Sequence, residues 1–118
     1  MPRSFARLFQ AAGRIDLCIK ELQVAVKLDP EDPGLRVEFG QAWEAAGNLP
    51  SAIREYRAAL ALDKNHVAAH YSLANALEKS HLTLEAKAAW QHYVQIATGN
   101  PREASRLAVG LAHLQQLK

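Results

Sequence analysis

The sequence predicts an all-α protein, a stack of antiparallel helix pairs with about seven helices in 118 residues. Three observations carry that expectation: an internal period of 34 residues, helical apolar spacing on both sides of each break, and the dominance of Ala and Leu. Alanine and leucine favour helix, and the chain lacks the β-branched and aromatic enrichment of strands.

The period is read by shifting the chain on itself. A shift of 34 places Ala11–Gly13 on Ala45–Gly47, Phe5 on Phe39, Phe9 on Trp43 and Leu28-Asp29 on Leu62-Asp63. A second shift carries Phe39-Gly40 onto Leu73-Ala74, Trp43 onto Leu77, Ala52 onto Ala86 and Tyr56 onto Trp90. A third carries Leu73-Ala74 and Leu77 onto Leu107-Ala108 and Leu111. Spacing and residue size are kept together, which marks a structural repeat.

Helices are expected near 2–12, 15–28, 33–46, 49–62, 67–80, 83–97 and 101–117, with ends uncertain by about two to four residues. In the second unit Phe39, Gly40 and Trp43 form one apolar stripe, and Ile53, Tyr56, Ala59 and Leu60 form the next. Gly47-Asn48 stops the first helix because glycine takes positive φ freely, and Pro50 suits the first turn of the second. Asn100 reads as an N-cap, with Pro101 as first helical residue and Glu103 reaching back. The last helix carries Ala104, Leu107, Ala108, Leu111 and Leu114 on one stripe and reads as a cap with a wet far side. The whole chain, 1–118, is taken as one domain with repeats near 1–32, 33–66 and 67–100 and a capping helix over 101–117.

This pattern resembles the tetratricopeptide repeat family, whose signature is W-x2-L-G-x2-Y, then A-x3-F, then P. The matching residues are Phe39-Gly40-x2-Trp43 with Ala52-x3-Tyr56, and Leu73-Ala74-x2-Leu77 with Ala86-x3-Trp90. The first unit offers Phe5-Ala6-x2-Phe9, then Cys18-x3-Leu22 and Pro30. The leading Trp is replaced by Pro2, Arg36 and His70, and the closing proline by Lys64 and Thr98 in the later units. The small residues at these positions let paired helices approach, and Trp43, Tyr56 and Trp90 fill the remaining volume. The resemblance implies a right-handed superhelical solenoid whose first helices line a concave groove that takes peptides or a partner helix. Onto this sequence it maps Arg3, Arg7, Gln10, Val37, Gln41, Glu44, Tyr71, Asn75, Glu78, Ser105 and Val109.

No catalytic constellation stands out: the chain has no Gly-rich phosphate loop, no HExxH and no CxxC. His66 and His70 share a helical spacing that suits a metal, but without a third ligand they read as a helix-entry residue and an exposed one. Cys18 aligns with Ala52 and Ala86 and reads as a packed core residue rather than a nucleophile. Trp43, Tyr56, Trp90 and Tyr93 read as core rather than as a platform for bases. A formal charge of +2 gives no strong field for nucleic acid or an anionic membrane. A single cysteine excludes an intramolecular disulfide framework and fits a reducing compartment such as the cytoplasm. The acid-free start MPRSFARLF faintly resembles a transit segment, and the repeat accounts for it better.

The expectation is a non-catalytic protein-interaction module without cofactors, its partner a protein or peptide with an acidic or carboxylate end set near Arg3 and Arg7. The alternative is a structural module that self-associates through its terminal helices, or a repeat fragment of a larger protein. A specific chaperone-tail clamp of the Lys/Asn/Asn/Lys/Arg kind is disfavoured by Glu38 and Glu78.

Overall fold

The computed structural model describes residues 15–117. The 34-residue period reappears first in the helix starts. Asp32 Oδ1 accepts from the Leu35 N–H at 3.3 Å, His66 Nδ1 from Ala69 at 3.2 Å, and Asn100 Oδ1 from Arg102 at 3.0 Å. These three caps stand one repeat apart and each satisfies an N–H that the helix cannot pair internally. Inside the second unit, Asn48 does the same for Ser51 at 3.1 Å.

Six α-helices follow among the described residues: α1 (Ile15–Leu28), α2 (Pro33–Ala45), α3 (Leu49–Leu62), α4 (Val67–Lys79), α5 (Thr83–Ala97) and α6 (Ala104–Gln116). The helix expected over 2–12 lies outside the described residues, as do Arg3, Phe5, Ala6, Arg7, Phe9 and Gln10. Consecutive helices pack on one another, most extensively α2 on α3 and α4 on α5, and α2 also meets α4. That is the geometry of stacked helix hairpins.

The turns inside the hairpins show how one position is used twice. Gly47 ends α2 with φ +83°, and one repeat later His81 holds φ +63° in the same place. An L-residue there carries a cost of roughly 1–2 kcal/mol that glycine avoids, set against the greater freedom glycine has when unfolded. His81→Gly is therefore expected to raise stability by about 0.5–1 kcal/mol, read as a higher urea midpoint with unchanged slope. A fall in the midpoint would show that the His81 side chain contributes more than its backbone costs.

Two apolar clusters form the interior. One gathers Cys18, Leu22, Ala25, Val26, Leu35, Phe39 and Ala42 between α1 and α2. The other runs through α2–α5 and includes Ala52, Tyr56, Leu73, Ala74, Leu77, Ala86, Trp90 and Tyr93. Trp43, half-buried, packs against both. Gly40 is buried because the Tyr56 ring lies over it, 2.5 Å from where a Cβ would stand.

The start of the last helix differs from the expectation. Asn100 is a cap, but Pro101–Glu103 forms a 3₁₀ turn and the α-helix begins at Ala104. Glu103 does not reach back; its carboxylate accepts from the Tyr93 hydroxyl at 2.9 Å. The expected stripe is also covered on one side only. Leu107 and Leu114 pack inward, while Ala104, Ala108 and Leu111 are exposed. Gly110 is buried, as Ala42 and Ala76 are at the same position of the earlier units, its position for a Cβ 3.1 Å from Tyr93 and 3.3 Å from Trp90. In the earlier units the equivalents of Ala108 and Leu111 are covered by the next helix of the pair. In the described chain α6 has no such successor, so those positions face outward.

Candidate functional site

The helices α2, α4 and α6 present their unpacked sides to one cleft of about 490 Å³. Gln41, Glu44 and Ala45 come from α2; Ala68, Tyr71, Ser72, Asn75 and Lys79 from α4; Arg106 from α6, with Tyr56 at the floor. Small residues on α2 and α4 keep the floor low, and the two amides, Gln41 and Asn75, stand one repeat apart.

Four of the sequence-derived groove residues meet here: Gln41, Glu44, Tyr71 and Asn75. Others are placed elsewhere. Val37 is 5% exposed and belongs to the core cluster with Ala69 and Leu73, because it sits where α2 meets α4. Ser105 and Val109 are exposed on α6 but do not line the cleft; Arg106, one residue on from Ser105, does. Arg106 stands one repeat after Ser72, which also lines the cleft. Lys79 also escaped the sequence reading, although it lies one turn beyond Asn75 on the same helix face.

Glu78 is not a groove residue either. It is half-buried and accepts from Trp90 Nε1 at 3.0 Å and from His113 Nδ1 at 2.8 Å. One repeat earlier, Glu44 accepts from the Tyr56 hydroxyl at 2.7 Å and from Lys79 Nζ at 2.6 Å. All three members of one set fall 34 residues before those of the other. Each acid ties the ring of its own unit to a base on the next unit's first helix. The contact satisfies the polar edge of a buried aromatic, which would otherwise cost roughly 1–3 kcal/mol, and links successive repeats.

Burial first, and then the hydrogen bond to Glu44, push the Tyr56 hydroxyl's pKa well above its usual value. Burial followed by the bond to Glu103 does the same for Tyr93. Both hydroxyls thus remain neutral donors. Cys18 is fully buried, and burial together with the nearby Glu38 charge raises its pKa, which opposes thiolate formation.

His66 and His70 are occupied in the helix framework. His66 caps α4, and His70 Nε2 donates to the Lys64 carbonyl at 2.7 Å. His70 is thus buried rather than exposed as its sequence position implies, and its ring meets His92 edge-on at 5.8 Å. Among the described residues no group of three or more His, Cys, Asp or Glu side chains is placed to hold a metal ion. No helix among them is long and apolar enough to cross a membrane.

Residues 40–80 match the model of the TPR repeat. Over that segment the chain is similar to the tetratricopeptide repeat. No curated protein matches the sequence. Solved structures share the fold over nearly its full length. The Yersinia enterocolitica type III secretion translocator chaperone SycD superposes with a TM-score of 0.91 at 18% identity, covering 98% of this chain and 80% of that one. PcrH, solved in complex with the chaperone binding region of PopD, gives 0.90 at 18% identity, with 98% and 87% covered. The TPR2B domain of yeast Sti1, solved as a complex with pHsp70, gives 0.84 at 19% identity, with 100% and 99% covered. The stack of antiparallel helix hairpins seen in these structures is therefore the architecture of this chain.

Proposed function

We propose that the chain is a non-catalytic adaptor that binds an extended peptide or a partner helix along the cleft of its first helices. The observation that carries this reading is the pair of amides, Gln41 and Asn75, one repeat apart beside Tyr71. An amide offers a donor and an acceptor, so two at a fixed spacing can hold the main chain of a peptide without reading its sequence. Tyr71 adds an aromatic face of the kind that dominates interface energetics. That similar folds were solved with a PopD region and with pHsp70 is consistent with this use of the surface. The cleft's polar groups are spread along an open surface instead of converging on one reacting atom, which favours recognition over chemistry. Arg3 and Arg7, outside the described residues, extend the proposal to an acidic partner segment.

The reading is tested with pools of N-acetylated, C-amidated nonapeptides and fluorescence anisotropy. Gln41→Ala plus Asn75→Ala is expected to weaken binding by roughly tenfold, since each lost hydrogen bond is worth about 0.5–1.5 kcal/mol, while leaving the melting temperature unchanged. Arg3→Glu plus Arg7→Glu, in the same assay, is expected to weaken acidic pools most. Full-strength binding by the amide-deleted protein would place the partner on another face.

A further inference from the structure

We infer that the cleft selects an extended peptide bearing an aspartate or glutamate side chain at its capping-helix end, with Arg106 reading that carboxylate. The inference rests on the peptide-binding reading above and adds the chemistry and direction of the occupant.

The argument begins with the charges lining the cleft, which are Glu44, Lys79 and Arg106. Glu44 is committed through both oxygens: Oε1 accepts from Tyr56 at 2.7 Å and Oε2 from Lys79 at 2.6 Å. Lys79 and Glu44 therefore neutralise each other, and the remaining charge in the cleft is the Arg106 guanidinium. It lies 5.3 Å from the centroid of the Tyr71 ring, close enough for a cation–π contact that orients its plane.

Its acid neighbour does not consume it. Arg106 Nη1 is 3.7 Å from Glu103 Oε1, too far for a hydrogen bond, and that oxygen already accepts from the Tyr93 hydroxyl at 2.9 Å. Arg106 is half-exposed, so this long ion pair contributes little. A guanidinium held by a ring, with its donors still open to the cleft, is prepared for a two-pronged contact to a carboxylate.

The form of that carboxylate follows from the lining. Capture of a chain terminus typically uses a nest of backbone N–H groups. Gln41, Tyr71 and Asn75 stand inside helices whose N–H groups are committed to their own ladders. Side chains are what this cleft offers, and a side-chain carboxylate reaching Arg106 while the main chain runs past Asn75 and Gln41 uses all of them.

The same nonapeptide pools, with Asp or Asn fixed at each position in turn, test the inference. One or two Asp pools are expected to bind about tenfold tighter than their Asn counterparts, with the advantage shrinking at raised salt. Arg106→Gln should erase that preference, and Arg106→Glu should transfer it to pools with Lys at the same position. Arg106→Lys should keep only part of it, since the fork and the stacking are lost. Melting curves check that these variants keep the wild-type fold. An Asp preference that survives Arg106→Gln overturns the inference while leaving the peptide-binding reading intact. A second set of pools is made with a free C-terminal carboxylate, and a preference seen only in that set overturns the inference in favour of a terminal anion. Absence of binding by every pool to the wild-type protein would remove both.

Discussion

Trp90→Ala is expected to lower the unfolding free energy by about 3–5 kcal/mol, a large part of the roughly 5–15 kcal/mol that holds a domain of this size. Trp90 is fully buried and is the largest such side chain among the described residues. Its ring meets Tyr71 at 5.4 Å, Tyr93 at 6.0 Å and His113 at 4.9 Å, and its indole N–H donates to Glu78. Deleting it opens a cavity between α5 and α6 and leaves a half-buried carboxylate with one partner fewer. The loss should appear in urea titrations followed by circular dichroism. Trp90→Phe should fall between the two, because it keeps a ring but removes the donor. A loss below about 1 kcal/mol for the alanine variant would mean that the cavity collapses and that α6 is not fastened through this residue.

Gly40→Leu is expected to be the other severe change. Helix propensity alone favours replacing a mid-helix glycine, by close to 1 kcal/mol. Sterics act the other way and are stronger: the first added carbon would stand 2.5 Å from Tyr56 Cε1 and 2.7 Å from Cδ1. Tyr56 cannot move aside easily, being fully buried with its hydroxyl held by Glu44 at 2.7 Å. Overpacking of this kind typically costs 1–3 kcal/mol, and a leucine at so short a distance should reach about the upper end or exceed it. The thermal transition should fall and broaden. Combining Gly40→Leu with Tyr56→Ala should recover part of the loss, as two residues in contact are not additive. A sharp melt at the wild-type temperature would mean that α2 and α3 are not held face to face at Gly40.

How much of this was legible beforehand divides along the range of the interactions. Gly47, Asn48 and Pro50 announce the turn between α2 and α3 because backbone conformation and capping act within a few residues. Phe39, Gly40, Ala52 and Tyr56 announce that two helices meet, since residue volume repeated at fixed spacing reflects a repeated contact. The groove was legible only in part. Gln41, Glu44, Tyr71 and Asn75 follow from helical geometry within units that have neighbours on both sides. Val37, Glu78 and the α6 residues do not, because their setting depends on what the adjoining helix presents. Arg106 had no local signal apart from its place one repeat after Ser72, itself in the cleft.

By itself, then, the sequence determined the repeat, the helices, their stops and the kind of surface left free, because those follow from local conformational preferences and the spacing of apolar volume. Tertiary structure alone decided which side of the last helix is covered, with Glu103 held by Tyr93 and Gly110 lying under Trp90 and Tyr93. It also decided that Glu44 is neutralised by a lysine 35 residues away while Arg106 keeps its donors facing the cleft. Charge pairing falls off with distance in space and is indifferent to distance along the chain, so no reading of spacing could have assigned it.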